Sequence, residues 1–366
     1  MSPETSGVVM AGVSPTHRFW AQRRVFLTGH TGFKGSWLSL WLSRMGAELV
    51  GYSNGVPTDP SMFDAVGLEG RIDSVDGDVR DFPALAEVLS DAAPSVVFHL
   101  AAQPLVRQSY EDPIETLATN IMGTVNVLES VRQASTPVDA VVIVTTDKCY
   151  ENRSWEYGYR ETDRLGGKDP YSASKAAAEL VTHAYRESLL DRAADPRIVT
   201  VRAGNVIGGG DFAADRLIPD LVRAAGTSEA RVVLRNPTAE RPWQHILDCL
   251  SGYLCLAEQL INDASLSGPW NFGPAIWPSA PVEAVVRTFV EHFGYEIAVD
   301  VEPDPDRVEE LLLALDASRA NRRLGWRPRL ELDAAIEWTA DWYRAHLRGD
   351  DMHEQTLLQI ASFEQF

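Results

Sequence analysis

Cysteine is scarce in this chain, with only Cys149, Cys249 and Cys255 in 366 residues. Three thiols cannot build a disulfide framework, and Cys249 and Cys255 are spaced unlike a zinc pair, so structural thiols in a reducing cytoplasm are expected. No apolar run approaches the roughly 18 residues of a membrane-spanning helix. No cluster of histidines supports a metal site. Positive charge is also short: 33 basic against 52 acidic residues leave a formal charge of -19. That surface repels phosphate backbones and anionic lipid, which argues against a nucleic-acid or membrane role. An anionic small molecule remains compatible, because a few arginines and lysines in one cleft override the global field locally.

The chain has ordinary globular composition, 45% hydrophobic and 23% charged. At about 100 to 200 residues per domain its length predicts two compact units, or one large sheet with an appended lobe. Residues 1–21 read as a loose leader without the basic-then-apolar order of a secretory signal. After them, short β-branched runs alternate with helical periodicity: Val25 to Thr28, Glu48 to Ser53, Ser95 to Leu100, Ala140 to Thr145 and Ile198 to Val201. This alternation predicts an α/β fold, a Rossmann-type doubly wound parallel sheet. Trp37, Leu38, Trp41, Leu42 and Met45 recur at helical spacing as a core stripe, and Gly46 supplies a stop.

Pro113 to about Arg132 and Tyr171 to about Leu190 read as long helices that cover one sheet face and also pack against a partner subunit, in a homodimer or homotetramer. From Ile207 the alternation breaks into Gly208, Gly209 and Gly210 and then into proline-punctuated pieces. A smaller, discontinuous C-terminal substrate lobe is expected there. The expected division is 22–206 for the dinucleotide-binding domain, with about 244–274 returning to it, 207–350 mainly for the lobe, and 351–366 as a tail.

The first strand runs into Gly29-His30-Thr31-Gly32-Phe33-Lys34-Gly35 and then into the Trp-rich helix. Glycines there permit a tight turn and close approach of a pyrophosphate to the helix N-terminal amides. The spacing is G-x-x-G-x-x-G rather than the usual G-x-G-x-x-G. No carboxylate follows about 20 residues on to take the ribose hydroxyls of NAD. Ser53 or Asn54 is left to make a neutral hydrogen bond, and no arginine stands there for a 2′-phosphate. NAD is the expected cofactor, with Lys34 leaving NADP open. Asp78-Val79 after the third strand and Ala101-Ala102-Gln103 after the fourth sit at sheet ends, where a dinucleotide lies.

Tyr171 and Lys175 stand four residues apart, so on a helix they share a face. A cationic neighbour and a nicotinamide cation favour phenolate and lower a pKa that is ordinarily about 10. A Y-x-x-x-K pair by itself would equally suit a helix surface. Here the preceding strand ends in Thr145-Thr146-Asp147-Lys148, bringing hydroxyls and two ionisable groups to the same sheet edge.

With the glycine loop, Thr119-Asn120, Pro170-Tyr171-Ser172-Ala173-Ser174-Lys175 and Leu324-Gly325-Trp326-Arg327-Pro328, the chain resembles the extended short-chain dehydrogenase/reductases, the family of nucleotide-sugar epimerases and dehydratases. The resemblance spans approximately Arg23 to His346. Thr146, Tyr171 and Lys175 fall on the family's catalytic positions, and Asn120 on a cofactor position. Epimerases usually carry small residues where Asp147 and Lys148 stand, and sugar 4,6-dehydratases carry Asp-Glu. Lys148, with the runs Cys149 to Asn152 and Trp155 to Glu161, resembles the branch that dehydrates CDP-glucose.

The resemblance implies an internal redox cycle. Tyr171 takes the 4-hydroxyl proton as hydride leaves C4 for NAD, Thr146 holds the 4-oxygen, and Lys175 tunes Tyr171 and binds the nicotinamide ribose. The ketone acidifies C5–H, water leaves C6, and hydride returns to C6. Asp147 is the expected general acid, which demands a pKa raised by burial. Lys148 would abstract the C5 proton only if neutral, and an ionised Asp147 opposes that, so stabilisation of the enolate by a cationic Lys148 is the alternative.

Asn205, in Arg202-Ala203-Gly204-Asn205-Val206, matches a position near the substrate phosphate. Arg216, Arg235, Arg241 and Arg107 are candidates for the diphosphate, or else solvated surface arginines. Trp243-Gln244-His245 is a candidate for lining the nucleotide pocket, His245 being equally suited to a structural role, and His99 reads as core. Val308-Glu309-Glu310 stands where the family pattern has His-Glu-Ala. An epimerase or reductase on the same scaffold and a non-catalytic NAD sensor are the competing readings.

Overall fold

A computed structural model describes residues 13–190, 196–227, 229–274, 280–302 and 312–366. Its centre is a seven-stranded parallel sheet of β1 (Arg24–Thr28), β2 (Glu48–Ser53), β3 (Asp73–Asp76), β4 (Val96–His99), β5 (Ala140–Val144), β6 (Arg197–Ala203) and β7 (Gly268–Phe272). The order is β7-β6-β5-β4-β1-β2-β3, and every pairing is parallel, with Thr28 beside both Tyr52 and His99. The doubly wound α/β fold expected from the alternation is the one observed.

Side-chain alternation sends successive strand residues to opposite faces. Val25, Leu27, Val96, Phe98, Val142 and Val201 join one core, with α1 (Phe33–Arg44) and its buried Trp37 and Trp41. Phe26, Val97, Val141, Ile143 and Ile198 join the other, under α2 (Phe82–Ala92) and α3 (Gly123–Gln133). Helix α4 (Pro170–Ala184) lies on that second side against α3. On the first side α5 (Ile246–Leu260), with Cys249, Leu250, Tyr253 and Leu254 all fully buried, packs against β5 and β6.

Several expectations differ in detail. The Pro113 to Arg132 helix is continuous but passes through a π-helical turn at Ala118–Met122, and the Tyr171 to Leu190 helix ends in another at Tyr185–Leu189. Each π turn is a single-residue insertion that shifts the apolar stripe at one point only, a signal too local to stand out from the periodicity around it. Strand β7, Gly-Pro-Trp-Asn-Phe, pairs only with β6, and an edge position tolerates its proline.

The ends also refine the picture of a loose leader and a tail. Residues 1–12 of that leader lie outside the described residues, and of residues 13–21 Pro15 and Trp20 are buried, Trp20 6.0 Å from the Phe98 ring. Residues 352–364 form a helix whose buried Phe363 meets Trp41 edge-on at 5.7 Å, while Glu364 accepts from Trp41 Nε1 at 2.9 Å. Val308-Glu309-Glu310 lies outside the described residues. Among the described residues no helix is long and apolar enough to cross a membrane, and no group of His, Cys, Asp and Glu could hold a metal ion.

Two histidines are core polar groups. His99 is bracketed by Thr28 Oγ1 at 2.7 Å and Thr124 Oγ1 at 3.2 Å. His245 caps α5 by accepting from the Leu247 amide at 3.3 Å, between the edges of Trp37 and Trp338. Burial holds both imidazoles down at about 3, with the positive Lys175 adding to the effect at His99. The unfolded chain binds these protons near pH 6.5, whereas the native chain does not until about pH 3. Their stabilisation is therefore complete above pH 6.5 and is lost as pH falls, with a slope approaching about 2.7 kcal/mol per pH unit for the pair. Urea unfolding followed from neutral to mildly acidic pH should show this decline, and His99→Gln should remove about half of the slope.

Candidate active site

A cleft of about 1500 Å³ opens along the carboxyl edge of the sheet. That exceeds the roughly 300 to 1000 Å³ of a single-ligand pocket, so a cofactor and a substrate can share it. The strand order reverses between β4 and β1, the crevice in which doubly wound sheets bind ligands.

The cofactor end is built by the turn from β1 into α1. Gly29 has φ +76°, and a Cβ there would lie 2.6 Å from the Ala101 amide nitrogen; one on Gly35 would lie 2.0 Å from the Gly29 carbonyl oxygen. Only glycine permits this turn, and no side chain caps the start of α1 at Gly32. Its first amides thus face the cleft for a pyrophosphate, so the residues present fit a dinucleotide. Gly29, Thr31, Gly32, Phe33, Lys34, Gly35, Ser53, Asp78, Val79, Ala101, Ala102 and Gln103 all line the cleft.

Ser53, at the cleft wall, also meets His30 Nδ1 at 2.9 Å, with His30 Nε2 on Ser74 at 2.7 Å, so it braces the loop as well. One placement differs from the sequence reading. Asn120 lies behind the cleft wall in the π-helical turn, accepting from the Gln103 amide at 2.8 Å and donating to Ser174 Oγ at 2.8 Å. Burial lowers His30 to about 4, which keeps this brace neutral. Asp78 accepts from Arg80 and from Asn54 Nδ2 at 3.2 Å, and the Arg80 hydrogen bonds hold its carboxyl below the usual range.

The reactive end combines the end of β5 with α4. Asp169 caps α4 by accepting from the Ser172 amide at 2.9 Å, and Pro170 sits in the first turn, where its missing N–H does no harm. Tyr171 and Lys175 then point from one face into the cleft beside Thr146, Asp147 and Lys148. Thr146 Oγ1 donates to Asp147 Oδ1 at 3.0 Å. Asp147 is 3% exposed, and its Oδ2 has no hydrogen-bond partner. Burial raises this carboxyl, against the pull of Lys148, Thr146 and Arg241. Gly204 leaves it room, since a Cβ there would lie 3.2 Å from Oδ2.

Burial also moves the other pair. Tyr171 is pushed up to about 12 despite the Thr146 hydroxyl beside it, and Lys175 is pulled down to about 8 by burial and the charge of Lys34. In the protein alone Lys175 Nζ donates to the Val144 carbonyl at 3.2 Å. In the protein alone, burial outweighs the Thr146 hydroxyl and the Arg216 charge at this phenol.

Opposite lie Asn205, Arg216, Arg235, Arg241 and Arg107. Arg107 is ion-paired with Asp215, and Arg216 with Asp211 at 3.3 Å. Trp243 lines the cleft, whereas Gln244 and His245 are buried away from it. The sequence reading passed over Glu179, buried one turn beyond Lys175 and paired with Arg202. Its signal was the repeated four-residue spacing Tyr171, Lys175, Glu179.

Fold, glycine turn and Thr-Tyr-Lys arrangement are those of the extended short-chain dehydrogenase/reductases. The sequence model of the GDP-mannose 4,6 dehydratase family matches residues 26–339, and the chain belongs to that family. It is 48% identical over 339 residues to the CDP-glucose 4,6-dehydratase of Salmonella typhimurium, covering 91% of this chain and 94% of that one. Among solved structures it resembles the UDP-glucose-4-epimerase of Stenotrophomonas maltophila with bound NAD and formylated UDP-arabinopyranose, with TM-score 0.77 and 25% identity over 89% of this chain and 99% of the other. The dTDP-glucose 4,6-dehydratase of Streptomyces venezuelae shares the fold, with TM-score 0.76 and 23% identity over 90% and 99% of the two chains.

Proposed function

We propose that this chain is an NAD-dependent hydro-lyase that converts CDP-D-glucose to CDP-4-dehydro-6-deoxy-D-glucose and water. The observation that carries the reading is the buried Asp147 carboxyl, raised by desolvation and open at Oδ2, beside Thr146 and Tyr171 in the cleft of the glycine turn. A 4-epimerase has no leaving hydroxyl to protonate. The likeness to the Salmonella dehydratase supports CDP-glucose as substrate.

The turn at Gly29–Gly35 and the edge residues Asp78, Val79, Ala101, Ala102 and Gln103 would hold NAD, with Ser53 and Asn120 bracing them. NAD supplies the hydride acceptor for C4, the hydride donor for C6 and a positively charged nicotinamide ring. Tyr171 takes the 4-hydroxyl proton, and the ring charge together with Lys175 must offset the burial that holds its phenol near 12. Thr146 steadies the 4-oxygen. Asp147, its carboxyl raised by burial, gives its proton to the departing C6 hydroxyl. Lys148, as a cation, stabilises the enolate formed when C5 gives its proton to a water or another base. Asn205, Arg216, Arg235, Arg241 and Arg107 take the diphosphate, Arg107 and Arg216 exchanging their carboxylate partners for phosphate oxygens.

The protein works as a homodimer in this reading. Ile114 is 79%, Met122 50% and Leu180 58% exposed on the neighbouring helices Pro113–Gln133 and α4, an apolar face suited to a second copy.

Three measurements test these statements. Purified protein with NAD, offered CDP-, dTDP-, UDP- and GDP-glucose separately, should release one water from CDP-glucose alone, read by product mass. Loss from another nucleotide would overturn the substrate, and no loss from any would favour the epimerase or sensor. Lys148→Met should slow C5 deuterium exchange by about a hundredfold while Lys148→Arg keeps much of it; an Arg variant as slow as Met would make Lys148 the base. Light scattering should give twice the chain mass, falling to one with Leu180→Arg.

A further inference from the structure

Beneath the reactive end, and lining none of the cleft, lies an ion pair of Glu179, 4% exposed, and Arg202, 2% exposed. The contact is bidentate, Arg202 Nε to Oε1 at 2.8 Å and Nη2 to Oε2 at 2.7 Å. Thr145 Oγ1 donates to Oε1 at 2.5 Å and Thr200 Oγ1 to Oε2 at 2.7 Å. Burial opposes both charges, and the mutual attraction outweighs it, so the glutamate is held below and the arginine above its ordinary value. Apolar residues of the same volume would stabilise such a place at least as well as a buried ion pair, and the pair's merit is a fixed geometry.

The connections show which geometry. Glu179 rides on α4, two turns beyond Tyr171, and grips Thr145, the neighbour of Thr146. Arg202 Nη1 donates to the Tyr150 hydroxyl at 2.7 Å, and that hydroxyl donates to Asn271 Oδ1 at 2.8 Å. Tyr150 directly follows the turn Asp147–Cys149. That turn is closed loosely by its own backbone, with Cys149 N to Thr146 O and Tyr150 N to Asp147 O both at 3.4 Å. Its firm ties run outward, through the Cys149 carbonyl to the Gly166 amide at 2.9 Å and through the Tyr150 side chain. The Tyr150 ring is stacked on Tyr159 at 5.2 Å, so its hydroxyl is well aimed.

We propose that the Glu179–Arg202 pair is a positioning element for both halves of the reaction and that Tyr150 is the arm by which it sets the Asp147–Lys148 turn. Glu179 sets Tyr171 and Lys175 against Thr146, the oxidation half. The Tyr150 hydroxyl serves the elimination half alone. This rests on the dehydratase reading above.

Tyr150→Phe keeps the stacked ring and removes only the arm. In a single turnover of CDP-glucose, reduced-cofactor absorbance should rise at the wild-type rate and decay about tenfold more slowly, as expected when an acid is slightly misplaced. Hydrogen exchange without substrate should quicken at the 148–150 amides and stay unchanged in α4. Glu179→Gln should slow rise and decay together. Equal slowing of both phases in Tyr150→Phe, or no change in either, with unaltered amide exchange, would overturn the proposal. If Glu179→Gln does not fold, the Tyr150→Phe ratio decides alone. If wild-type protein removes no water from CDP-glucose, the dehydratase reading fails first, and the amide exchange of Tyr150→Phe still decides whether the arm holds the turn.

Discussion

The reversal of strand order between β1 and β4 is the constraint from which the site follows. Chains leaving the two strands diverge to opposite faces of the sheet, so nothing covers the carboxyl edge between them. The glycine turn after β1 and the Ala101–Gln103 segment after β4 form the two lips of that gap. The ends of β5 and β6 extend it, carrying Thr146–Lys148 and Gly204–Asn205. A parallel sheet buried on both faces can present polar groups only at its strand ends, which is why residues far apart in sequence meet there.

Desolvation then tunes what meets. The same dry surroundings raise Asp147, raise Tyr171 and lower Lys175. In the proposed mechanism the direction suits Asp147 as the acid and is adverse for Tyr171 as the base, whose phenol needs positive charge brought to it: the acid is prepared by the fold, the base by its ligands. Glu179 and Arg202 share this dry region and remain charged, because each satisfies the other through two short hydrogen bonds.

Much of this was legible before any coordinates. Strand runs such as Ala140 to Thr145 contain the observed strand, Ala140–Val144, because its every residue is apolar and buried, on both faces. Gly29 to Gly35 announced its turn, since the chemistry of the loop is the absence of side chains. Other features left no local trace. The π-helical turn at Asn120 is a single local insertion, β7 lacks β-branched residues, and the packing of Trp20 on Phe98 and of Phe363 on Trp41 joins positions far apart in sequence.

From the sequence alone came the fold class, the glycine turn and the residue types Thr146, Asp147, Lys148, Tyr171 and Lys175, because spacing along one strand end or one helix face is a local property. Only the tertiary structure decided that Asn120 braces rather than lines the cleft, that Asp147 Oδ2 stands without a partner, and that Arg202 joins α4 to the Asp147 turn. Those outcomes depend on which groups a side chain meets across the sheet and how much water is excluded around them. Neither quantity exists until the chain has closed on itself.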